Sequence, residues 1–293
     1  MDNKTQFINS FPKSIPGQHQ EKHPGMESIM NPRPIFDNPN YVASDKLKDK
    51  VALITGGDSG IGRAAALAYA KEGADISIVY YDEHEDAEET KALIENLGRK
   101  CILIPGDITD SNFCNNAVNQ TVNSFNGLHI LVNNAAVQYT QNSIEDITEE
   151  QLEKTFRTNI FSMFYLVKAS IPHLKQGSSI INTASITAYK GDELLIDYSC
   201  TKGAVVTFTR SLALSLASMG IRVNAVAPGP IWTPLIPSSF DVAKVEQFGK
   251  NTALTRPAQP VELAGAYVYL ASCDASYVTG EIIHVNGGKF VSG

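Results

Sequence analysis

Two side chains four residues apart, Tyr198 and Lys202, carry the strongest chemical signal in this 293-residue chain. On a helix, residues i and i+4 share one face, so phenol and ammonium would point into the same space. A free phenol titrates near ~10 and is a poor base at neutral pH. A cation held beside it favours the phenolate. Such a pair can take a proton from an alcohol or give one to a carbonyl oxygen. Ser185 closes the run Ile180-Ile181-Asn182-Thr183-Ala184-Ser185, thirteen residues before Tyr198. Its hydroxyl could hydrogen-bond the same oxygen and stabilise charge developing there.

A second signal is Thr55-Gly56-Gly57-Asp58-Ser59-Gly60-Ile61-Gly62, which follows an apolar run and precedes an Ala-rich stretch. Glycines at a helix N-terminus let a pyrophosphate approach the backbone, where free amides and the positive helix end hold it. Strand, glycine turn and helix in this order are the context such a loop needs. An acid just after the second run, Asp82 in Tyr80-Tyr81-Asp82-Glu83, could accept hydrogen bonds from ribose hydroxyls and repel a 2′-phosphate.

Those residues must be positioned by regular elements. From residue 50 onward, short β-branched runs alternate with helical stretches. The runs are Val51–Thr55, Ile76–Tyr80, Cys101–Pro105, Ile130–Val132, Ser179–Asn182, Arg222–Val226 and Ile282–Val285. Arg63–Lys71 and Glu85–Leu97 read as helices, with Gly73 and Gly98 at their C-terminal stops. Runs without polar alternation imply strands buried on both faces, and the βα alternation implies a doubly wound α/β fold. The sheet is expected to be parallel, of about seven strands, with helices on both faces and ligands at the strands' carboxyl ends.

Composition narrows the function classes. Hydrophobic residues make up 43% and charged residues 19%, as in soluble globular chains. No apolar run nears the ~18 residues of a membrane span, and the first ten residues lack a signal-peptide pattern. A net charge of −7 disfavours a nucleic-acid partner. Cys101, Cys114, Cys200 and Cys273 form no CxxC pair, which points to a reducing cytoplasm and to no metal site. Six of fourteen prolines lie before residue 45, so we read 1–45 as a Pro-rich arm. The arm is either a loose tail or an extended segment lying on the body or on a neighbouring subunit. Phe11, Ile15, Met26, Ile29, Met30, Ile35 and Phe36 would give it something to bury.

TGxxxGIG and YxxxK in this order resemble the short-chain dehydrogenase/reductase family over about residues 46–293, which implies one Rossmann-type catalytic domain there. The resemblance implies an Asn159–Ser185–Tyr198–Lys202 tetrad, with Asn159 holding a water that relays protons to Lys202; Tyr198 and Lys202 would also contact the cofactor, Lys202 bonding the nicotinamide ribose. It implies an NAD or NADP site at Gly56, Asp58, Ser59, Gly60, Ile61 and Gly62. Gly106-Asp107-Ile108 would meet the adenine, and Asn133-Asn134-Ala135-Ala136 the ribose, with Ala136 where the family usually has glycine. In Pro228-Gly229-Pro230-Ile231-Trp232-Thr233-Pro234, Ile231 and Thr233 would hold the carboxamide. The position of the family's NAD-selecting acid falls on Tyr80, with Asp82 two residues on. No basic residue stands at Ser59, though Arg63 is near, so NAD is favoured over NADP. Residues 232 to about 256 fold over the substrate in relatives; there Trp232, Leu235, Ile236, Phe240 and Phe248, with Ile186, Tyr189, Leu194 and Leu195, could line an apolar pocket, and homotetramers are frequent. The Pro24–Pro34 arm looks like that of a bacterial branch described as aldehyde or ketone reductases or general stress proteins. The expected activity is NAD(P)-dependent hydride transfer to or from a small alcohol or carbonyl substrate. A silent dinucleotide-binding regulator of the same fold is the alternative.

Overall fold

The computed structural model describes residues 3–291. After a short helix, α1 (Asn3–Asn9), the chain runs irregularly to β1 (Val51–Thr55) and α2 (Gly60–Lys71). Then come β2 (Asp75–Tyr80), α3 (His84–Asn96), β3 (Cys101–Pro105), α4 (Ser111–Phe125) and β4 (Ile130–Asn133). The second half holds α5 (Glu149–Phe156), α6 (Ser162–Ser170), β5 (Ser179–Thr183), α7 (Thr187–Lys190), α8 (Ile196–Leu216) and β6 (Arg222–Pro228). It ends with α9 (Leu235–Ser239), α10 (Val242–Gln247), α11 (Val261–Ala271) and β7 (Ile282–Val285).

The seven strands form one parallel sheet in the order β3-β2-β1-β4-β5-β6-β7. The chain moves outward from β1 to β3 and returns to start again at β4 beside β1. That reversal opens a crevice at the carboxyl ends of β1 and β4. One face is covered by α2, α3 and α11, with Ala64–Ala70, Ile94, Leu263 and Tyr267 in its core. The other is covered by α4, α6 and α8 through Cys114, Val118, Leu166, Ala213 and Leu216. The strand spans expected from sequence hold to within two residues. The edge strands differ: in β3, Ile102 and Leu103 are half-buried and Pro105 is exposed, because an edge packs on one side only. Gly73 (φ +96°) and Gly98 (φ +77°) do stop α2 and α3, in the left-handed region a side chain resists.

The arm lies on the body. Phe11, Ile15 and Met30 are buried, whereas Ile29 stays exposed. Val261 donates its amide to the Ile35 carbonyl, and Ile35 its own to Gln259. The seven-residue α1 was not visible as a period, since a segment that short carries barely two turns. No helix among the described residues is long and apolar enough to cross a membrane.

Candidate active site

The crevice is a cavity of about 870 Å³. Its floor starts at β1, which ends at Thr55. The Thr55 hydroxyl accepts the amides of Asn134 (2.9 Å) and Ala135 (3.1 Å), tying the ends of β1 and β4 together. Asn134 donates its side-chain amide to the carbonyls of Thr55 (3.1 Å) and Gly56 (3.2 Å) and accepts from Thr183 at 3.2 Å. Three strand ends are thus stitched by one asparagine.

The glycine loop is held too tightly for side chains. A Cβ on Gly62 would lie 1.9 Å from the Gly56 carbonyl oxygen, and Gly56 and Gly60 take φ of +62° and +51°. Gly56, Asp58, Ser59, Gly60 and Ile61 line the cavity at the start of α2, where the first amides of a helix lack partners within it. Gly62 sits behind them. Asp58 is buried, and burial pushes its carboxyl up to about 6.

Further along the wall stand Tyr80, Asp107, Ile108, Asn134, Ala135 and Ala136. The Tyr80 phenol is bonded to His84 Nδ1 at 2.9 Å. Asp82 is not on the wall: it pairs with Lys22 of the arm at 2.9 Å, and Tyr81 and Glu83 line the cavity in its place. The loop turns between β2 and α3, so successive side chains leave in different directions. Pro228, Gly229, Ile231 and Thr233 line the opposite side. Gly229 passes so close to β7 that a Cβ would come within 2.6 Å of Asn286 Cα.

At the far end Ser185, Tyr198 and Lys202 converge on the cavity, all buried. The Lys202 ammonium lies 5.4 Å from the Tyr198 ring centre and donates to the Thr183 carbonyl at 2.7 Å. Burial raises Tyr198 to about 12 against the pull of the Ser185 hydroxyl, and lowers Lys202 to about 7. Ser185 is aimed by Thr187, whose amide (3.1 Å) and hydroxyl (3.0 Å) both donate to it. Asn159 does not reach the cavity. It sits in a π-turn (Arg157–Phe161) between α5 and α6, where its amide exchanges two 2.8 Å bonds with the Val137 backbone and donates to Thr201 at 3.1 Å. Its polar atoms are already engaged in bracing α8 beside Lys202.

Several contributors were not read from the sequence. Asp197, in the first turn of α8, accepts from Thr155 (2.8 Å) and Gln151 (3.1 Å), fixing α8 with Tyr198 and Lys202 to α5. His23, Pro24 and Gly25 of the arm line the cavity itself. The apolar wall at the Tyr198 end includes Ile186, Leu195, Ile236, Phe240 and Phe248, all among the pocket residues expected from the sequence. Trp232 and Tyr189 face elsewhere, Trp232 fully buried with its indole N–H donating to the Pro32 carbonyl at 2.8 Å.

The site suits a dinucleotide: its volume, a glycine loop that admits no side chains, helix amides beside that loop and Tyr198 with Lys202 at one end all fit one. Comparison with known proteins agrees. Residues 56–289 match the family model described as enoyl-(acyl carrier protein) reductase. An uncharacterized oxidoreductase, YhdF of Bacillus subtilis (strain 168), is 66% identical over 275 residues, 94% of this chain and 95% of its own. The chloroplastic NADPH-dependent aldehyde reductase 1 of Arabidopsis thaliana is 49% identical over 283 residues, 94% of this chain and 98% of its own. A solved 3-ketoacyl-(acyl-carrier-protein) reductase from Brucella melitensis, complexed with NADH, superposes with a TM-score of 0.78 at 33% identity, covering 84% of this chain and all of the other (100%).

Proposed function

Since this chain belongs to the short-chain dehydrogenase/reductase family and is an NAD(P)-dependent oxidoreductase, we propose that it interconverts a small alcohol and its aldehyde or ketone with Tyr198 as the proton donor and acceptor. The observation that carries this reading is the meeting of Tyr198, Ser185 and Lys202 at one end of the cavity whose middle is the glycine loop. A bound nicotinamide supplies or accepts the hydride. The Tyr198 hydroxyl gives its proton to the carbonyl oxygen during reduction and recovers it during oxidation. Ser185 donates a hydrogen bond to that oxygen while charge develops on it. Lys202, when protonated, favours the phenolate. The apolar wall favours substrates with an aliphatic or aromatic body next to the reacting carbon.

NAD is the preferred cofactor in this reading. Arg63, the cation nearest the loop in sequence, is fully buried, with its donors taken by the carbonyls of Asp58 and Asp86 and the carboxylates of Glu27 and Glu89. Lys22 is held by Asp82 (2.9 Å) and Glu83 (3.4 Å). Neither is left to meet a 2′-phosphate. We place the chain in the cytoplasm, as its four unpaired cysteines suggest.

The test is a panel of aldehydes and ketones assayed with NADH and NADPH, with both cofactors titrated beforehand. Turnover of at least one carbonyl class and tighter binding of NADH are expected. Binding without turnover on any carbonyl contradicts the catalytic reading, and tighter binding of NADPH contradicts the cofactor preference.

A further inference from the structure

We propose that Glu27, from the N-terminal arm, is a positioning residue of the cofactor site: it fixes the glycine loop and, through the arm, the wall of residues 232–248 over the substrate end. The proposal rests on the reading of that loop as a dinucleotide cradle.

Glu27 is fully buried. One carboxyl oxygen accepts the Gly60 amide at 2.7 Å, and the other accepts Arg63 Nη1 at 2.7 Å. Gly60 is the first residue of α2, and the first amides of a helix have no partner within it. An acidic group there satisfies one of them at the positive end of the helix. The next residue, Ile61, is left facing the cavity. Arg63 in turn holds the Asp58 carbonyl at 2.8 Å, so the loop is gripped on both sides of Ser59. Asp86 closes the circuit, accepting the backbone amides of Glu27 (2.6 Å) and Ser28 (3.0 Å). Burial pushes the Glu27 carboxyl up to about 7, while Arg63 and the Gly60 amide pull it down. Removing it would leave a buried guanidinium short of a partner and a buried amide without an acceptor.

The same arm grips the wall. Ser238 donates its hydroxyl to the Pro24 carbonyl at 2.9 Å, and the Gln20 amide donates to Pro237 at 2.8 Å. Gly25 passes so near that a Cβ would lie 2.5 Å from the Pro234 carbonyl oxygen. Ile15 and Met30 share one apolar cluster with Trp232, Ile236 and Tyr198. Glu27 therefore anchors a segment that touches both the phosphate-binding loop and the substrate wall, although it contacts no reacting atom.

The experiment compares full-length Glu27→Ala, Glu27→Gln and Glu27→Asp with the unaltered chain, at a temperature where circular dichroism shows each folded. NADH dissociation constants are read by fluorescence titration, and kcat and KM on a carbonyl substrate that the unaltered chain turns over. We expect Glu27→Ala to weaken NADH binding about ten-fold, equivalent to about 1.4 kcal/mol, and to raise the carbonyl KM. kcat at saturation should change far less, as for lost ground-state positioning. Glu27→Asp should recover part of the affinity. If Glu27→Ala does not fold, the isosteric Glu27→Gln carries the test with a smaller loss in the same direction. Folded variants that melt earlier yet keep the NADH affinity and KM of the unaltered chain overturn the proposal, since Glu27 would then serve stability alone. If the unaltered chain binds neither NADH nor NADPH, the dinucleotide reading falls as well.

Discussion

Tyr198 and Lys202 show how a buried pair can be legible in sequence while its state is not. The YxxxK spacing on α8 foretells a shared face, and the structure brings both to the cavity with Ser185. Their protonation follows from burial, which no spacing reveals. With Tyr198 raised to about 12, the phenol is protonated at neutral pH. Reduction uses the protonated phenol and is helped by the Lys202 ammonium, so it should decline as pH rises through about 7, while alcohol oxidation, which uses the base, should climb as pH rises. Rate profiles in the two directions check this, and an oxidation rate that falls with rising pH would contradict it. Lys202 gives a stability prediction of definite sign. Its pKa is lowered from 10.5 to about 7, so the folded state disfavours the ammonium. The penalty is full below about 7 and is relieved as pH rises toward 10.5. Replacing Lys202 by Met should therefore raise the melting temperature of the cofactor-free protein more at pH 6 than at pH 10. Calorimetry at both values decides, and an equal shift would contradict the buried-lysine assignment. Asn159 was legible as a residue but not in its setting, because a π-turn arises from slipped backbone bonding rather than from side-chain pattern.

At the scale of elements, the βα alternation and the glycine turn were readable because each rests on local chemistry: β-branched runs, helix formers and residues that tolerate positive φ. Gly62 illustrates the limit on variation in that turn. A methyl group there meets backbone at 1.9 Å, which no rotamer can relieve. Gly62→Ala should lower NADH affinity by about ten-fold or more and destabilise the chain by roughly 1–3 kcal/mol, as overpacking does. Titration and thermal melts test both, and near-unaltered values would show that the turn can open. In the β2–α3 turn the sequence pointed to Tyr80 and Asp82. Tyr80 lines the cavity with Tyr81 and Glu83, whereas Asp82 turns to Lys22. The direction of a side chain on an irregular loop depends on turn geometry, and the partner comes from sixty residues away.

For the whole molecule, the docking of the arm was the least legible feature. Glu27 and Gly60 lie 33 positions apart, and nothing in Pro24–Pro34 announces which surface will accept its carbonyls. Such contacts are tertiary, so the sequence allowed both a loose tail and a docked segment. A second long-range feature is an exposed apolar groove between α6 and α8, lined by Ile160, Phe164, Phe208 and Leu212. We propose that it is buried in a homotetramer, as symmetric assemblies bury such faces. Light scattering on the full chain should give four times 31.7 kDa, and Phe164→Glu should reduce the assembly. A monomer at micromolar concentration would contradict this.

The most direct measurement of the proton-transfer assignment compares the unaltered chain with Tyr198→Phe, reading NADH affinity and carbonyl-dependent NADH oxidation on the same samples. Affinity should stay within a few-fold, because the phenol is one contact among many along the cofactor site. Turnover should fall by about 10²–10⁴, the usual worth of a general acid. A Tyr198→Phe protein that binds NADH and still turns over the carbonyl at the original rate would show that the proton comes from elsewhere.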